Sequence, residues 1–88
     1  MKILIMCEGP NEKAVVEILL DAGCLKFSRD DLVGLDVYHA RQLTSPVIKA
    51  NLNIYTGDFE VYRIGDSMSE KLSVSADYRD RIKGIGKF

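Results

Sequence analysis

Residues 1–12 read MKILIMCEGPNE, and the fold turns on how this stretch is divided. Ile3, Leu4, Ile5 and Met6 form an unbroken apolar run of the length expected for a strand buried on both faces. Gly9, Pro10 and Asn11 then supply a turn and a helix start, with proline at the first helical position. Glu8 stands between strand and turn, where a capping turn by itself requires no acid. One plain reading is that Glu8 only favours the dipole of the helix that follows, a contribution of about 0.3–1 kcal/mol.

Working outward, residues 11–22 place Val15, Ile18, Leu19 and Ala22 on one helical face, widened by Val16 and Leu20. Gly23 is the expected stop. Residues 24–34, with the Arg29-Asp30-Asp31 run, read as a solvated connection. Leu35, Val37 and Tyr38 mark a second strand over residues 35–40. Ser45-Pro46 opens a short helix carrying Val47, Ile48 and Leu52, and Phe59–Ile64 is a third strand. One helical turn is expected over residues 69–72 and a last helix over 76–82. Lys83-Gly84-Ile85-Gly86-Lys87 reads as a helix-ending loop, with a weaker likeness to the hairpin of helix-hairpin-helix DNA-binding motifs.

Strand and helix alternate throughout, which implies an α/β fold: a small, mainly parallel three-stranded sheet with flanking helices. At 88 residues the chain is one domain, residues 1–88, and its apolar Phe88 suggests a unit that is incomplete at its C-terminal end. The composition, 47% apolar and 28% charged, is that of a globular domain, and no run approaches a membrane span. Met1–Met6 is too short for a secretory signal. Two unpaired cysteines point to a cytoplasmic, reducing setting. A net charge of −1 excludes a global electrostatic pull on nucleic acid or membrane, so phosphate binding requires a local patch or a metal.

Parallel sheets collect ligands at the carboxyl ends of their strands. Two acids fall there, Glu8 after the first strand and Asp66 after the third. On strands about 4.8 Å apart, their carboxylates would meet over one hard cation, which takes one or two carboxylates plus water and phosphate oxygens. Gly9 admits a phosphate close to the backbone, and the first-turn amides from Asn11 onward add positive potential. Arg41 suits a phosphate if the second strand adjoins the first, and His39 would then share the same edge. Cys7 beside Glu8 is expected to have a raised thiol pKa, and so is no nucleophile.

The run Ile3-Leu4-Ile5-Met6-Cys7-Glu8-Gly9-Pro10-Asn11-Glu12-Lys13 resembles the first motif of Toprim domains, in the version of OLD-type and RloB-like nucleases. There an apolar strand enters Glu-Gly and then an amphipathic helix, and a second glutamate stands where Glu12 does. The resemblance implies that Glu8 is catalytic acid/base and metal ligand, with Glu12 an accessory acid. The later Toprim motif is a strand ending in Asp-x-Asp. Val61-Tyr62-Arg63-Ile64-Gly65-Asp66 matches its first aspartate, a metal ligand, but Met68 replaces the second. The resemblance covers the N-terminal part of such a domain, with a degenerate second acidic motif and a fourth strand still to come. It implies a Mg²⁺- or Mn²⁺-dependent module that processes nucleic-acid phosphodiesters, weak or inactive in isolation, which either self-associates or needs a further C-terminal segment. The alternative is a non-catalytic interaction or regulatory domain of the same descent.

Overall fold

A computed structural model describes residues 1–65 and 72–87 of the chain. The expected turn over residues 69–72 falls mostly outside them, as do Asp66 and Met68. β1 (Lys2–Cys7) is followed by α1 (Pro10–Asp21), two short 3₁₀ turns (Arg29–Asp31 and Val33–Leu35), β2 (Tyr38–His39) and α2 (Pro46–Ile54). Then come β3 (Phe59–Ile64), α3 (Ala76–Arg79) and β4 (Ile82–Lys87). The strands form one parallel sheet in the order β2-β1-β3-β4. The expected α/β architecture is therefore observed, with four strands where the sequence suggested three. The radius of gyration, 12.2 Å, is that of a compact domain of this length.

β1 is central because both of its faces are apolar. Leu4 and Met6 pack with Ile48 and Leu52 of α2 and with Phe59 and Val61 of β3. Ile5 and Cys7 pack with Val16 and Leu20 of α1 on the other face. α1 ends as a Schellman motif: Gly23, at φ 69°, donates to the Leu20 carbonyl and Cys24 to that of Leu19. The buried face of α1 differs from the expected one. Val16 and Leu20 are buried, whereas Val15 and Ile18 are 55% and 67% exposed. α1 lies over β1 and β2, so the flank bearing Val15 overhangs the β3 side, where no described helix covers the sheet.

The second strand is much shorter than the expected residues 35–40. Gly34 (φ 73°) and Leu35 (φ 58°) both take left-handed backbone, and the Asp36 carboxylate accepts the Val37 N–H. These local bonds hold the chain in a turn until Tyr38. α2 begins at Pro46 as expected, although Ser45 makes no side-chain cap.

The C-terminal reading is corrected most. The last helix stops at Arg79, and residues 82–87 form β4 alongside β3, so they are neither a loop nor a phosphate-binding hairpin. Glycine is a poor strand former, but here neighbouring side chains cover the bare backbone. A Cβ on Gly86 would lie 2.5 Å from the Tyr62 ring, so that ring fills the space a side chain would take. With β4 in place, Phe59–Ile64 is interior to the sheet. The exposed edges are β2 and β4, so Phe59–Ile64 offers no free edge to a partner strand.

Arg81 fastens this half of the fold. Its guanidinium donates to the carbonyls of Gly57 (3.1 Å), Leu52 (3.3 Å) and Tyr55, and stacks over Phe59. It thereby satisfies carbonyls at the end of α2 that the helix leaves without partners.

Candidate functional site

From β1 the chain passes through α1 to β2 on one side, then crosses back through α2 to β3 on the other. The carboxyl ends of β1 and β3 therefore flank the point where the strand order reverses, the position at which open α/β sheets bind ligands. Cys7 pairs with Ile64 there, and the Glu8 N–H extends the ladder by donating to the Ile64 carbonyl at 2.9 Å. Glu8 is thus fixed at the mouth of this crevice. Asp66, its expected partner, lies two residues beyond Ile64 in sequence and outside the described residues.

Three sequence-selected residues do come together. Arg41 Nη2 donates to Glu8 Oε1 at 3.1 Å, with side-chain exposures of 57% and 15%. His39 Nε2 lies 3.1 Å from the Glu8 carbonyl oxygen, and because that oxygen only accepts, Nε2 carries the proton. Their positions follow from the short β2. Cys7 pairs with His39, the Ala40 N–H donates to the Cys7 carbonyl, and the chain then turns so that Arg41 reaches over the β1 end.

Gly9 is the N-cap of α1, followed by Pro10 and then by Asn11, which is exposed. Among the described residues no side chain caps this terminus, so none of them serves as cap acceptor for the first-turn amides of Asn11 and Glu12. Glu12 folds back toward the N-cap: its Oε2 lies 2.8 Å from where a Cβ on Gly9 would sit. Its charge acts on the α1 face, where Cys7 lies. Burial, reinforced by Glu12 and Glu17 and opposed by Lys13, pushes the Cys7 thiol up to about 11. Cys7 is therefore a core thiol and no nucleophile; the upward shift is the expected one, but burial and not adjacent Glu8 is its first cause.

One residue of this edge escaped the sequence reading. Arg63 is 4% exposed, and its Nη2 donates to the Arg41 carbonyl at 3.4 Å. The available signal was its place on the inward-facing alternation Phe59, Val61, Arg63, where an apolar side chain is the rule. A buried guanidinium next to the strand end adds positive charge beneath the Glu8–Arg41 pair.

Among the described residues no three acids, histidines or cysteines cluster as a metal-binding group. The donor set at Glu8 is thus a sparse one. Of the one or two carboxylates with which hard cations are held, the described residues at this strand end supply Glu8. A cavity of about 380 Å³ lies apart from this edge, in a groove between α1 and β3. Ile3, Val16, Phe27 and Tyr62 are among the side chains lining it, and Lys26 is the one charged residue there.

No known protein family model matches this chain. No curated protein and no solved structure is significantly similar to it either. Among the described residues, no helix is long and apolar enough to cross a membrane.

Proposed function

We propose that this chain is a nuclease-type Toprim module, which processes nucleic-acid phosphodiesters with the help of Mg²⁺ or Mn²⁺. The observation that carries the reading is the placement of Glu8 at the switch point, next to the exposed guanidinium of Arg41. The acid is fixed by its own backbone and the arginine is mostly exposed. Support also comes from β4, since Toprim domains need the fourth strand that the sequence reading lacked.

In this reading Glu8 and Asp66 would hold the cation, and Glu8 would also serve as acid/base. A bound divalent cation neutralises the phosphodiester and stabilises the leaving oxygen. Arg41 holds a non-bridging phosphate oxygen through its planar guanidinium. The Asn11 and Glu12 amides beyond Gly9 receive another at the α1 N-terminus. His39 keeps Glu8 oriented by holding its carbonyl.

Because Met68 replaces an acid, cleavage by this chain alone is expected to be weak or absent even with Mn²⁺. The test is Mn²⁺ binding by calorimetry together with DNA and RNA cleavage, for the wild type, Glu8→Gln and Asp66→Asn. Binding that is lost in Glu8→Gln supports the reading. Binding or robust cleavage that survives both substitutions overturns it. Met68 also favours a second reading, a non-catalytic regulatory or protein-interaction domain that retains the edge without turnover. In that case Mn²⁺ and nucleic acid bind, but no cleavage occurs.

A further inference from the structure

We propose that two copies of this chain pair through α1 about a two-fold axis, with the helices antiparallel and the apolar flank of each closing the groove of the other. The pairing covers a face that the fold leaves open, and it does not depend on any role of Glu8.

α1 carries more apolar surface than its own sheet covers. Val15, Ile18, Leu19 and Ala22 recur at helical spacing, the pattern of a buried face. Yet Val15 is 55% and Ile18 67% exposed, and Val16 and Leu20 make the contact with the core instead. The charges along the helix stand clear of this flank. Lys13 pairs with Glu17 at 2.7 Å and Asp21 with Arg29 at 3.3 Å. Lys13, Glu17 and Asp21 follow one another at four-residue steps, which puts them on the opposite side of α1 from Val15 and Ala22.

Beside the apolar flank lies the groove between α1 and β3. The cavity lined by Phe27 and Tyr62 continues toward the helix start into a second one of about 260 Å³ beside Glu12, and the two share Val16 and Ile64 in their walls. Among the described residues no helix lies over β3 on this face, where Tyr62 and Ile64 are only partly buried. An uncharged helix flank next to an apolar groove forms a continuous patch of the kind that marks an interaction surface.

The charges at the two ends of the groove select a second copy as the partner. Glu12 borders one end and Lys26 the other. Among the described residues neither takes part in an ion pair. In a two-fold interface, whatever one residue meets on the partner meets it in return. With the helices antiparallel, Lys26 comes opposite Glu12 of the partner subunit at one end, and the same contact recurs at the other. Val15, Ile18 and Leu19 of both copies then meet in the middle. A parallel pairing would set Lys26 against Lys26 and Glu12 against Glu12. The surface is thus self-complementary in one direction only, with the apolar centre and polar rim that interfaces have.

Sedimentation equilibrium of the full chain measures the association. Wild type is expected to form a dimer of the 9.9 kDa protomer and to dissociate on dilution. Ile18→Glu sets a charge in the apolar centre from both sides and is expected to weaken the dimer about 100-fold or more. It should leave a folded monomer, because Ile18 is exposed in the single chain. Lys26→Glu and Glu12→Lys each bring like charges together at both ends and should weaken the dimer about tenfold. Mixed in equal amounts, these two variants regain opposite charges at both ends, and their heterodimer should recover the wild-type affinity. A wild type that stays monomeric overturns the pairing, and uptake of a fluorescent fatty acid by that monomer assigns the groove to a small amphiphile instead. A dimer that survives Ile18→Glu, or single variants that gain nothing on mixing, overturns it as well.

Discussion

Cys7 offers a quantitative check on how the sheet is packed. Its side chain is fully buried between β1 and α1, with the carboxylates of Glu12 and Glu17 near enough to disfavour a thiolate. Together, burial first and the acids second, they move the thiol from 9.0 to about 11. Below pH 9 the thiol is protonated in both the folded and the unfolded chain, so the group leaves stability independent of pH. Between 9 and 11 the unfolded chain loses the proton while the folded chain keeps it, so the folded state binds more protons and stability falls as pH rises. At about 1.4 kcal/mol per pH unit over this window, the loss is roughly 2–3 kcal/mol, a large share of the stability of a small domain.

The assay is urea unfolding at several pH values from about 8 to about 11, for wild type and Cys7→Ala. The alanine variant begins about 1 kcal/mol less stable, from the small cavity it leaves. Its stability should then decline less steeply, so that the two curves approach each other and cross toward high pH. Tyr38, whose hydroxyl is also shifted upward by burial and then by Asp36, contributes equally to both proteins and cancels in the difference. Parallel curves, with a constant gap across the alkaline range, would refute the argument. A thiol-labelling measurement at neutral pH is independent of the unfolding data: exposed Cys24 should react quickly and Cys7 only on unfolding.

Two further substitutions test the frame around the site. Arg81→Gln removes a guanidinium that serves three carbonyls and stacks on Phe59, and is expected to cost about 2–4 kcal/mol in urea unfolding. A cost under about 0.5 kcal/mol, the usual range for a surface change, would show that α2 does not depend on it. Gly34→Ala places a methyl 2.1 Å from the Tyr38 hydroxyl, on backbone at φ 73°. It should break the Tyr38–Val33 hydrogen bond and lower stability by about 2 kcal/mol or more, whereas a neutral result would mean that the turn before β2 is not held as described.

The parts of the fold visible in the sequence are those in which local signals agree with the tertiary answer. β1 and β3 are apolar runs of strand length, and the starts and stops of α1 and α2 carry Pro10, Gly23 and Pro46. What the sequence hid depends on neighbours. β4 contains Gly84 and Gly86, whose strand conformation is supported by Glu60 and Tyr62 from the adjacent strand. The β2 region looks extended, but two left-handed residues turn it, where the Tyr38 hydroxyl bonds the Val33 carbonyl and, with Asn51, fills the space beside Gly34. The inward face of α1 was misplaced for a similar reason. An apolar stripe indicates which residues avoid water, and the width of sheet beneath the helix decides which of them are covered.

The same distinction bears on Glu8. Read from sequence, an acid before a helix is explained well enough by the helix dipole. In the structure the N-cap of α1 is Gly9, and among the described residues no side chain caps that terminus. The Glu8 carboxylate instead reaches sideways to Arg41, 33 positions away in the chain, on the loop after the neighbouring strand. An acid that served only the helix would have no use for an arginine delivered by a different crossover, nor for His39 holding its carbonyl. The residues meeting at Glu8 come from β1, β2 and the loop beyond it, with buried Arg63 of β3 beneath. Each is a poor choice for stability alone: an exposed pair contributes little, and a buried arginine is costly to desolvate. On the proposed reading, their convergence on the edge where the strand order reverses serves an anion and its counter-cation.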